Sequence, residues 1–409
     1  MPIHDNEVRP LAAIDGPLST GELLRWRGLP AEQQPPWDDH PALASVVETL
    51  RTLPPMIDGA EIDAFARLLA DVAAGTRLLL QAGDCAENPT HRYREHVAPA
   101  VRLLTSLADA MSARCGRPVV TVGRIAGQYA KPRTKAAENI GGRLVPSFRG
   151  LMVNSLEPDP GARVADPGRM LECHESANDT LNTLRAINGE LGVCVWTSHE
   201  ALVLDYELPQ LRRLADGRLM LTSTHWPWVG NRTRAIDAAH IALMAAIANP
   251  VACKVGPDIS EKELLAACEH LDPHRTPGRL TLICRQGAGI GIRRLPQLAS
   301  AVRREGHPVI WLCDPMHGNT VVSASGLKTR TLTALRREIG EFRAAVREAG
   351  VMPGGLHLEA TAEPVRECVN SDADIDGLDS SAYTTLCDPR LNIPQAKAVL
   401  SAWTDTEED

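Results

Sequence analysis

The chain alternates between short runs that are apolar almost throughout and longer stretches in which apolar residues recur every three or four positions. Continuously apolar short runs are typical of strands buried on both faces of a parallel sheet. Eight such runs occur: RLLLQA from 77, PVVTVG from 118, VCVWTS from 193, RLMLTS from 218, PVACKVG from 250, RLTLICR from 279, PVIWLCD from 308 and GLHLEAT from 355. We therefore predict eight parallel strands.

The stretches between these runs predict amphipathic helices, for example EKELLAACEHL from 261 and LPQLASAVRREG from 295. Repeated alternation of strand and helix favours an α/β fold of the closed (β/α)8 TIM-barrel type over an open doubly wound sheet, which usually has fewer strands. The first 60 residues are Pro-rich, contain one short helical stretch and lie outside the repeat. We predict an N-terminal extension over 1–60 and a catalytic barrel over 61–409.

The amino-acid composition and net charge limit the kinds of molecule that the protein could bind. Apolar residues make up 44% of the 409 residues, enough for a full-sized core, and the net charge of −8 argues against a surface that binds nucleic acid or an acidic membrane. The chain has no apolar run long enough for a transmembrane helix and no secretory leader pattern at its start, so we expect a cytoplasmic protein. Its ten cysteines are scattered through apolar segments, which predicts buried thiols.

Polar residues follow the apolar runs, and a barrel would bring them to one face. Four of them could bind a metal ion: Cys85 in GDCAE, His317 in DPMHGN, Glu359 in HLEAT and Asp388 in CDPRLN. One thiolate, one imidazole and two carboxylates accept Mn, Fe, Co, Zn or Cu, so the ligand set does not choose among these metals. Local spacing does not identify the site, which depends on the barrel to assemble it.

Seven basic residues are expected on the same face: Arg124, Lys131, Arg133, Arg232, Lys254, Arg285 and Lys328. Lys254 and Arg285 each end an apolar run, where a charge without a partner would be costly. The cations outnumber the nearby acids, which indicates a ligand with several negative charges. Arginine forks and lysine point charges together suit a substrate that carries phosphate and carboxylate groups.

At these residues the chain resembles the type II 3-deoxy-D-arabino-heptulosonate 7-phosphate (DAHP) synthases. The similar segments lie between about residues 77 and 395: QAGDCAE, GRIAGQYAKPRT, TSHEALVLDYE, WVGNRTR, NPVACKVGP, LTLICR, WLCDPMHGNT, GGLHLE and CDPRLN. The resemblance implies condensation of phosphoenolpyruvate with erythrose 4-phosphate to give DAHP and phosphate, the first step of the shikimate pathway to aromatic compounds.

The resemblance also implies roles for individual residues. Mn or Co would be held by Cys85, His317, Glu359 and Asp388 and would polarise the aldehyde. Phosphoenolpyruvate would lie on Arg124, Lys254, Arg285 and Arg232, with Trp228 near its phosphate. The sugar phosphate would lie on Arg133, Thr134 and Lys328, with Lys131 between the two substrates. Of the residues at the reacting centre, we expect Lys254, Asn231, His317 and Asp388 to take part in catalysis.

The sequence departs from the family pattern at three places. Asn231 stands in WVGNRTR where Glu is usual, and an amide cannot hold a negative charge or accept a proton from the attacking water. Asn88-Pro89 after GDCAE and Gln286 after LTLICR are the other two. These departures keep open a related enzyme that condenses phosphoenolpyruvate with another aldehyde, such as an amino sugar phosphate. A catalytically weakened binding or regulatory partner is a third hypothesis, which the complete set of metal ligands disfavours.

The N-terminal part is shorter than in the regulated members of the family. Short forms occur in secondary-metabolite pathways of the phenazine type, so the resemblance implies a role in specialised metabolism. We further expect small-molecule substrates, no nucleic-acid or membrane partner, and a homo-oligomer.

Overall fold

The computed structural model describes residues 14–378 and 380–404. The first 13 residues of the predicted extension and the last five of the predicted barrel domain lie outside the described residues. Eight parallel strands close into a barrel, which confirms the predicted fold class. In chain order the barrel strands are Leu78–Gly83, Val119–Arg124, Val195–Glu200, Trp226–Val229, Val251–Val255, Leu280–Cys284, Ile310–Cys313 and Pro353–Glu359.

The helices surround this barrel. They span Thr20–Arg27, Leu43–Thr52, Gly59–Ala73, Arg94–Cys115, Arg169–Leu191, Leu204–Glu207, Ala239–Ala246, Glu261–Leu271, Leu295–Arg304, Leu332–Glu348 and Ile393–Leu400. Short 3-10 helices span Leu208–Gln210, Gly291–Arg293, Asp372–Gly377 and Ser380–Ala382. Among the described residues, no helix has the length and apolar character needed to cross a membrane.

The fourth barrel strand is not the predicted one. The apolar run from 218 does form a strand, Leu219–Leu221, but it pairs antiparallel with Leu211–Leu214. That strand pairs in turn with Ile14–Pro17, giving a separate three-stranded sheet. Trp226–Val229 occupies the barrel position instead, between the third and fifth barrel strands. Its four residues include a proline, which lacks the N–H of a regular strand, so the sequence pattern did not reveal it.

Large apolar side chains fill the barrel interior. Trp196, Trp226 and Trp228 pack there with aliphatic residues of the other strands. The helix Gly59–Ala73 closes the amino-terminal end, where Phe65 lies with its ring centroid 5.1 Å from that of Trp196. Packing at this density leaves no channel through the barrel, so the cavity described below is confined to the carboxyl-terminal end.

Two antiparallel hairpins extend from this end. One pairs Ala137–Ile140 with Arg143–Pro146. The other pairs Val321–Val322 with Lys328–Thr329. The first follows the KPRT segment and the second carries Lys328, so each hairpin sets the position of a predicted binding residue.

Candidate active site

The carboxyl-terminal ends of the strands surround a cavity of about 380 Å³. All nine residues predicted to bind substrate line it: Arg124, Lys131, Arg133, Thr134, Trp228, Arg232, Lys254, Arg285 and Lys328. They come from segments more than 200 residues apart in sequence, so only the closed barrel brings them together. The cavity is therefore a strongly cationic pocket, as the excess of basic residues predicted.

Lys254 is fixed at the buried end of the fifth barrel strand. Its Nζ donates to Asp314 Oδ2 at 2.5 Å and lies 2.9 Å from His357 Nε2. Burial lowers the pKa of Lys254 to about 8, because the effect of Asp314, which raises it, only partly offsets burial and Arg124 lowers it further. The ammonium group thus releases its proton at a lower pH than an exposed lysine would.

Arg124 lies beside Lys254 and is held on three sides. Its Nε donates to the carbonyl oxygen of Asp84 at 2.9 Å, and its Nη2 donates to that of Cys85 at 3.0 Å. Its guanidinium carbon also lies 5.4 Å from the ring centroid of Trp228, a cation–π distance. The planar fork is therefore oriented before any ligand binds.

His357 connects the two cations, and the sequence reasoning missed it. Arg124 Nη1 and Lys254 Nζ both lie 2.9 Å from its Nε2, which must act as the acceptor because both partners only donate. Its Nδ1–H then faces Gln81 Oε1, with which it makes a short hydrogen bond. Burial and the charge of Lys254 hold the pKa of His357 well below its usual value, so the imidazole is neutral. The sequence did contain a feature that could have identified His357: it is a polar residue inside an apolar run, two positions before Glu359.

Three of the four predicted metal ligands form one cluster. Ligand atoms of His317, Glu359 and Asp388 all lie within 4.8 Å of one another. Cys85 lies beside this group, where its Sγ accepts the backbone N–H of Asp388 at 3.2 Å, but it is not a member of it. The predicted set is thus brought together, with the thiol at its edge.

His317 is oriented by a residue behind it. Its Nδ1 lies 2.8 Å from Asp314 Oδ2, and its Nε2 lies 3.1 Å from Glu359 Oε1, so the ring is held between the two carboxylates. Burial would raise the pKa of Asp314, but His317 and Lys254 hold that pKa well below its usual value. Asp314 therefore links the lysine of the cationic pocket to the histidine of the cluster.

Arg330 is a second residue that the sequence reasoning missed. It lines the cavity, has no exposed surface, and places Nη1 2.8 Å from Glu359 Oε2. Its sequence context, LKTRT, reads as an exposed polar loop, so its burial could not be predicted. Even so, both oxygens of Glu359 are buried without a hydrogen bond of good geometry. Arg124 Nη2 also lies 3.2 Å from Glu359 Oε1, so this carboxylate is held between two arginines.

The other basic residues are each held by a contact in the cavity wall. Arg232 Nη2 donates to Thr134 Oγ1 at 3.0 Å, which places Arg232 between the KPRT segment and the fourth strand. Lys328 Nζ donates to Asp388 Oδ1 at 2.9 Å, and Lys131 Nζ lies 3.7 Å from Asp388 Oδ2. Arg285 donates to the carbonyl oxygen of His317 at 2.8 Å, while its Nε is buried without a partner.

Of the departures from the family pattern, Asn231 is the one that lines the cavity. Its Oδ1 accepts N–H groups from Gly256 and from Arg234 Nε, both at 3.1 Å. Gln286 lies behind the wall and donates to the carbonyl oxygen of Val255, and Asn88 caps a turn at Thr90. Two of the three departures are therefore structural substitutions outside the pocket.

A parallel barrel whose carboxyl-terminal face combines eight arginine and lysine residues, the seven predicted ones and Arg330, with a histidine–carboxylate cluster defines an enzyme of the (β/α)8 class that binds substrates with several negative charges. The model of the class-II DAHP synthetase family matches residues 22–193 and 188–402. The chain belongs to this family, which confirms the resemblance found in the sequence.

Two relatives are similar to the chain over most of their length. The chain is 47% identical over 378 residues to a probable phospho-2-dehydro-3-deoxyheptonate aldolase of Pseudomonas fluorescens, covering 91% of this chain and 94% of that one. It is 38% identical to a phospho-2-dehydro-3-deoxyheptonate aldolase of Mycolicibacterium smegmatis, with 90% of each chain covered. These similarities favour DAHP synthesis over the alternative with another aldehyde.

A solved structure shares the fold. The phospho-2-dehydro-3-deoxyheptonate aldolase of Francisella tularensis SCHU S4 matches with a TM-score of 0.51 at 13% identity, covering 88% of this chain and 95% of that one. At that identity the match concerns the fold alone.

Proposed function

We propose that this chain is a metal-dependent transferase that condenses phosphoenolpyruvate with erythrose 4-phosphate, giving DAHP and inorganic phosphate. The observation that carries the proposal is a cavity in which eight basic residues, the seven predicted ones and Arg330, lie beside the cluster of His317, Glu359 and Asp388. Together the two substrates bring two phosphates and a carboxylate. Charge-assisted hydrogen bonds from arginine and lysine suit all three groups.

The phosphoenolpyruvate half of the cavity would be formed by Arg124, Lys254, Arg285 and Arg232. The first two are fixed in advance by His357, so little ordering is needed when the substrate binds. The unpartnered Nε of Arg285 is a donor that a ligand oxygen would satisfy. Trp228 lies against Arg124 and would limit how the enol can tilt.

The sugar phosphate would lie in the other half, on Arg133, Thr134 and Lys328. Lys131, buried at the boundary, contacts both carboxylates of the cluster at 3.7 and 3.9 Å. Its ammonium group would therefore face the aldehyde carbon and the developing alkoxide. In this proposal C3 of the enol would lie opposite the aldehyde, as the new carbon–carbon bond requires.

A divalent cation fits the donor set. Glu359 offers two buried oxygens, His317 offers Nε2, and Asp388 offers a carboxylate, with the Cys85 thiol adjacent. This mixed set suits Mn or Co, and His317, Glu359, Asp388 and Cys85 would hold the ion. When bound, the cation supplies Lewis-acid polarisation of the aldehyde carbonyl. The chain's own residues orient that carbonyl, with Asp314 holding the ring of His317.

The test is turnover of the purified protein with Mn, phosphoenolpyruvate and erythrose 4-phosphate. Enol loss and phosphate release should proceed in equal amounts and should require the aldose. Lys254→Met should raise the KM for phosphoenolpyruvate and lower kcat, whereas Lys262→Met on an exposed helix surface removes the same charge and should match the wild type. Enol loss only with a different aldehyde, or none at all, would refute the proposed function.

The predicted homo-oligomer and the predicted supply of a specialised pathway remain predictions. They concern the surface and the metabolic context of the protein, not the chemistry of this cavity.

A further inference from the structure

Glu200 is a carboxylate in the cavity wall that has no part in the proposed binding of the two substrates. It ends the third barrel strand and pairs in register with Trp228 of the fourth. A Cβ built on Gly230 would lie 2.0 Å from Glu200 Oε1, so the carboxylate packs directly against the glycine backbone. Any residue larger than glycine at 230 would displace it.

Glu200 differs from the other acid of the cavity in having no cation bound to it. Within the described residues two carboxylates line the pocket, and Asp388 is engaged by Lys328 at 2.9 Å and by Lys131 at 3.7 Å. Glu200 makes no ion pair in that part of the chain, and its Oε1 is buried without a hydrogen-bond partner. Since Glu200 lines the cavity and no hydrogen bond or ion pair within the described residues engages its side chain, its carboxylate is available to a ligand that donates a proton.

Asn231 cannot supply this acceptor. Its Oδ1 already takes the N–H of Gly256 and that of Arg234, and its Nδ2 can only donate, at 3.5 Å from Asp258. Arg124, Arg285 and Arg232 form this side of the cavity, and an arginine side chain can only donate hydrogen bonds. Glu200 is thus the proton acceptor available beside Trp228.

The condensation needs such an acceptor. When C3 of the enol bonds to the aldehyde carbon, C2 becomes electron-deficient, and a water oxygen bonds to C2 while losing one proton. The C2–O bond to phosphate then breaks with its electron pair, the remaining hydroxyl proton is lost, and C2 becomes a ketone. Of the two water protons, one ends on the new alcohol oxygen and the other on the released phosphate, so the step needs no external reagent.

We propose that Glu200 is the general base that accepts the proton of the water attacking C2. This inference rests on the proposed function and assigns the water-handling step to the third strand instead of position 231. The carboxylate takes the proton as the C2–O bond forms and returns it to the departing phosphate.

The test compares Glu200→Gln, which keeps the shape and removes the proton acceptor, with Glu200→Ala, which leaves space for an added acid. Glu200→Gln should lower kcat by about 10²-fold or more without raising the KM for phosphoenolpyruvate, since a nearby negative charge has been removed. Formate should restore kcat of Glu200→Ala in a concentration-dependent way and should not restore Glu200→Gln, which has no vacant space. Glu305→Gln, at an exposed position, is the matched control and should retain wild-type turnover.

Three results would overturn the assignment while leaving the proposed function intact: wild-type kcat in Glu200→Gln, a loss carried by KM instead of kcat, or no formate-dependent gain in Glu200→Ala. Absence of turnover in the wild type with both substrates would instead overturn the proposed function and this inference together. Trp228 fluorescence on titration with phosphoenolpyruvate gives a separate readout of binding in each variant, so a folding defect is distinguishable from a chemical one.

Discussion

Gln33, in the N-terminal extension, is predicted to control the sugar-phosphate half of the cavity. Its side-chain Oε1 accepts the backbone N–H of Arg133 at 2.8 Å, and its carbonyl oxygen accepts from Arg149 Nη1 at 3.3 Å. Gln33 also has a left-handed backbone with φ of 66°, unusual for a residue with a side chain. Such strain persists where surrounding contacts impose it, here beside the KPRT segment.

Gln33→Ala removes the acceptor from a partly buried N–H group, which costs about 1–3 kcal/mol. At about 1.4 kcal/mol per tenfold change, full transfer of this cost to binding would raise the KM for erythrose 4-phosphate by about 5- to 150-fold. We expect the lower end of that range, because the Arg133 side chain is also held by the carbonyl of Phe148 and by Cys387. The KM for phosphoenolpyruvate, bound in the other half, should not change.

Steady-state kinetics with each substrate varied in turn measures both constants. Gln33→Gly is the matched control, since it loses the same hydrogen bond but tolerates the positive φ. Both variants should therefore show the raised KM for erythrose 4-phosphate. The free energy of unfolding measured in urea should be higher for Gln33→Gly than for Gln33→Ala by about 1 kcal/mol. An equal rise in KM for both substrates, or no rise for erythrose 4-phosphate, would refute the reasoning.

The remaining predictions concern the charged core of the site. Asp314→Asn should reduce the free energy of unfolding by about 3–5 kcal/mol, because it breaks a buried pair with Lys254; an unchanged urea midpoint would count against this pairing. Since the pKa of Lys254 is about 8 and its charged form binds the substrate, kcat/KM for phosphoenolpyruvate should fall as pH rises through about 8, and a flat profile there would contradict that role. Removal of divalent metal by a chelator should abolish turnover, and Mn should restore it; activity that survives chelation would exclude the metal role of the cluster.

Much of the site could be predicted from sequence because its residues lie at the ends of strands, and the apolar pattern of each strand is visible in the local sequence. Lys254 and Arg285 each terminate an apolar run, and His317 and Glu359 lie at or just after one. Charges in such contexts must have partners, so they indicate a site before any coordinates exist. The barrel then follows from repeated alternation, since parallel strands need helical crossovers between them.

Other elements could not be predicted because their place depends on distant partners. Leu219–Leu221 and Trp226–Val229 are both short and apolar, and only pairing decides which of them enters the barrel. The burial of Arg330 depends on Glu359, and the acceptor role of His357 depends on two cations from other strands.

The sequence by itself determined the fold class, the family and most of the charged residues that line the cavity, because hydrophobic periodicity and charges at strand ends are local properties. Only the tertiary structure decided how those residues are connected. It makes His357 neutral between Arg124 and Lys254, engages the carbonyl of Asn231 in the wall and leaves the carboxylate of Glu200 free. Hydrogen bonding in a buried site depends on which groups meet across the barrel, and that is a property of three-dimensional packing and not of sequence order.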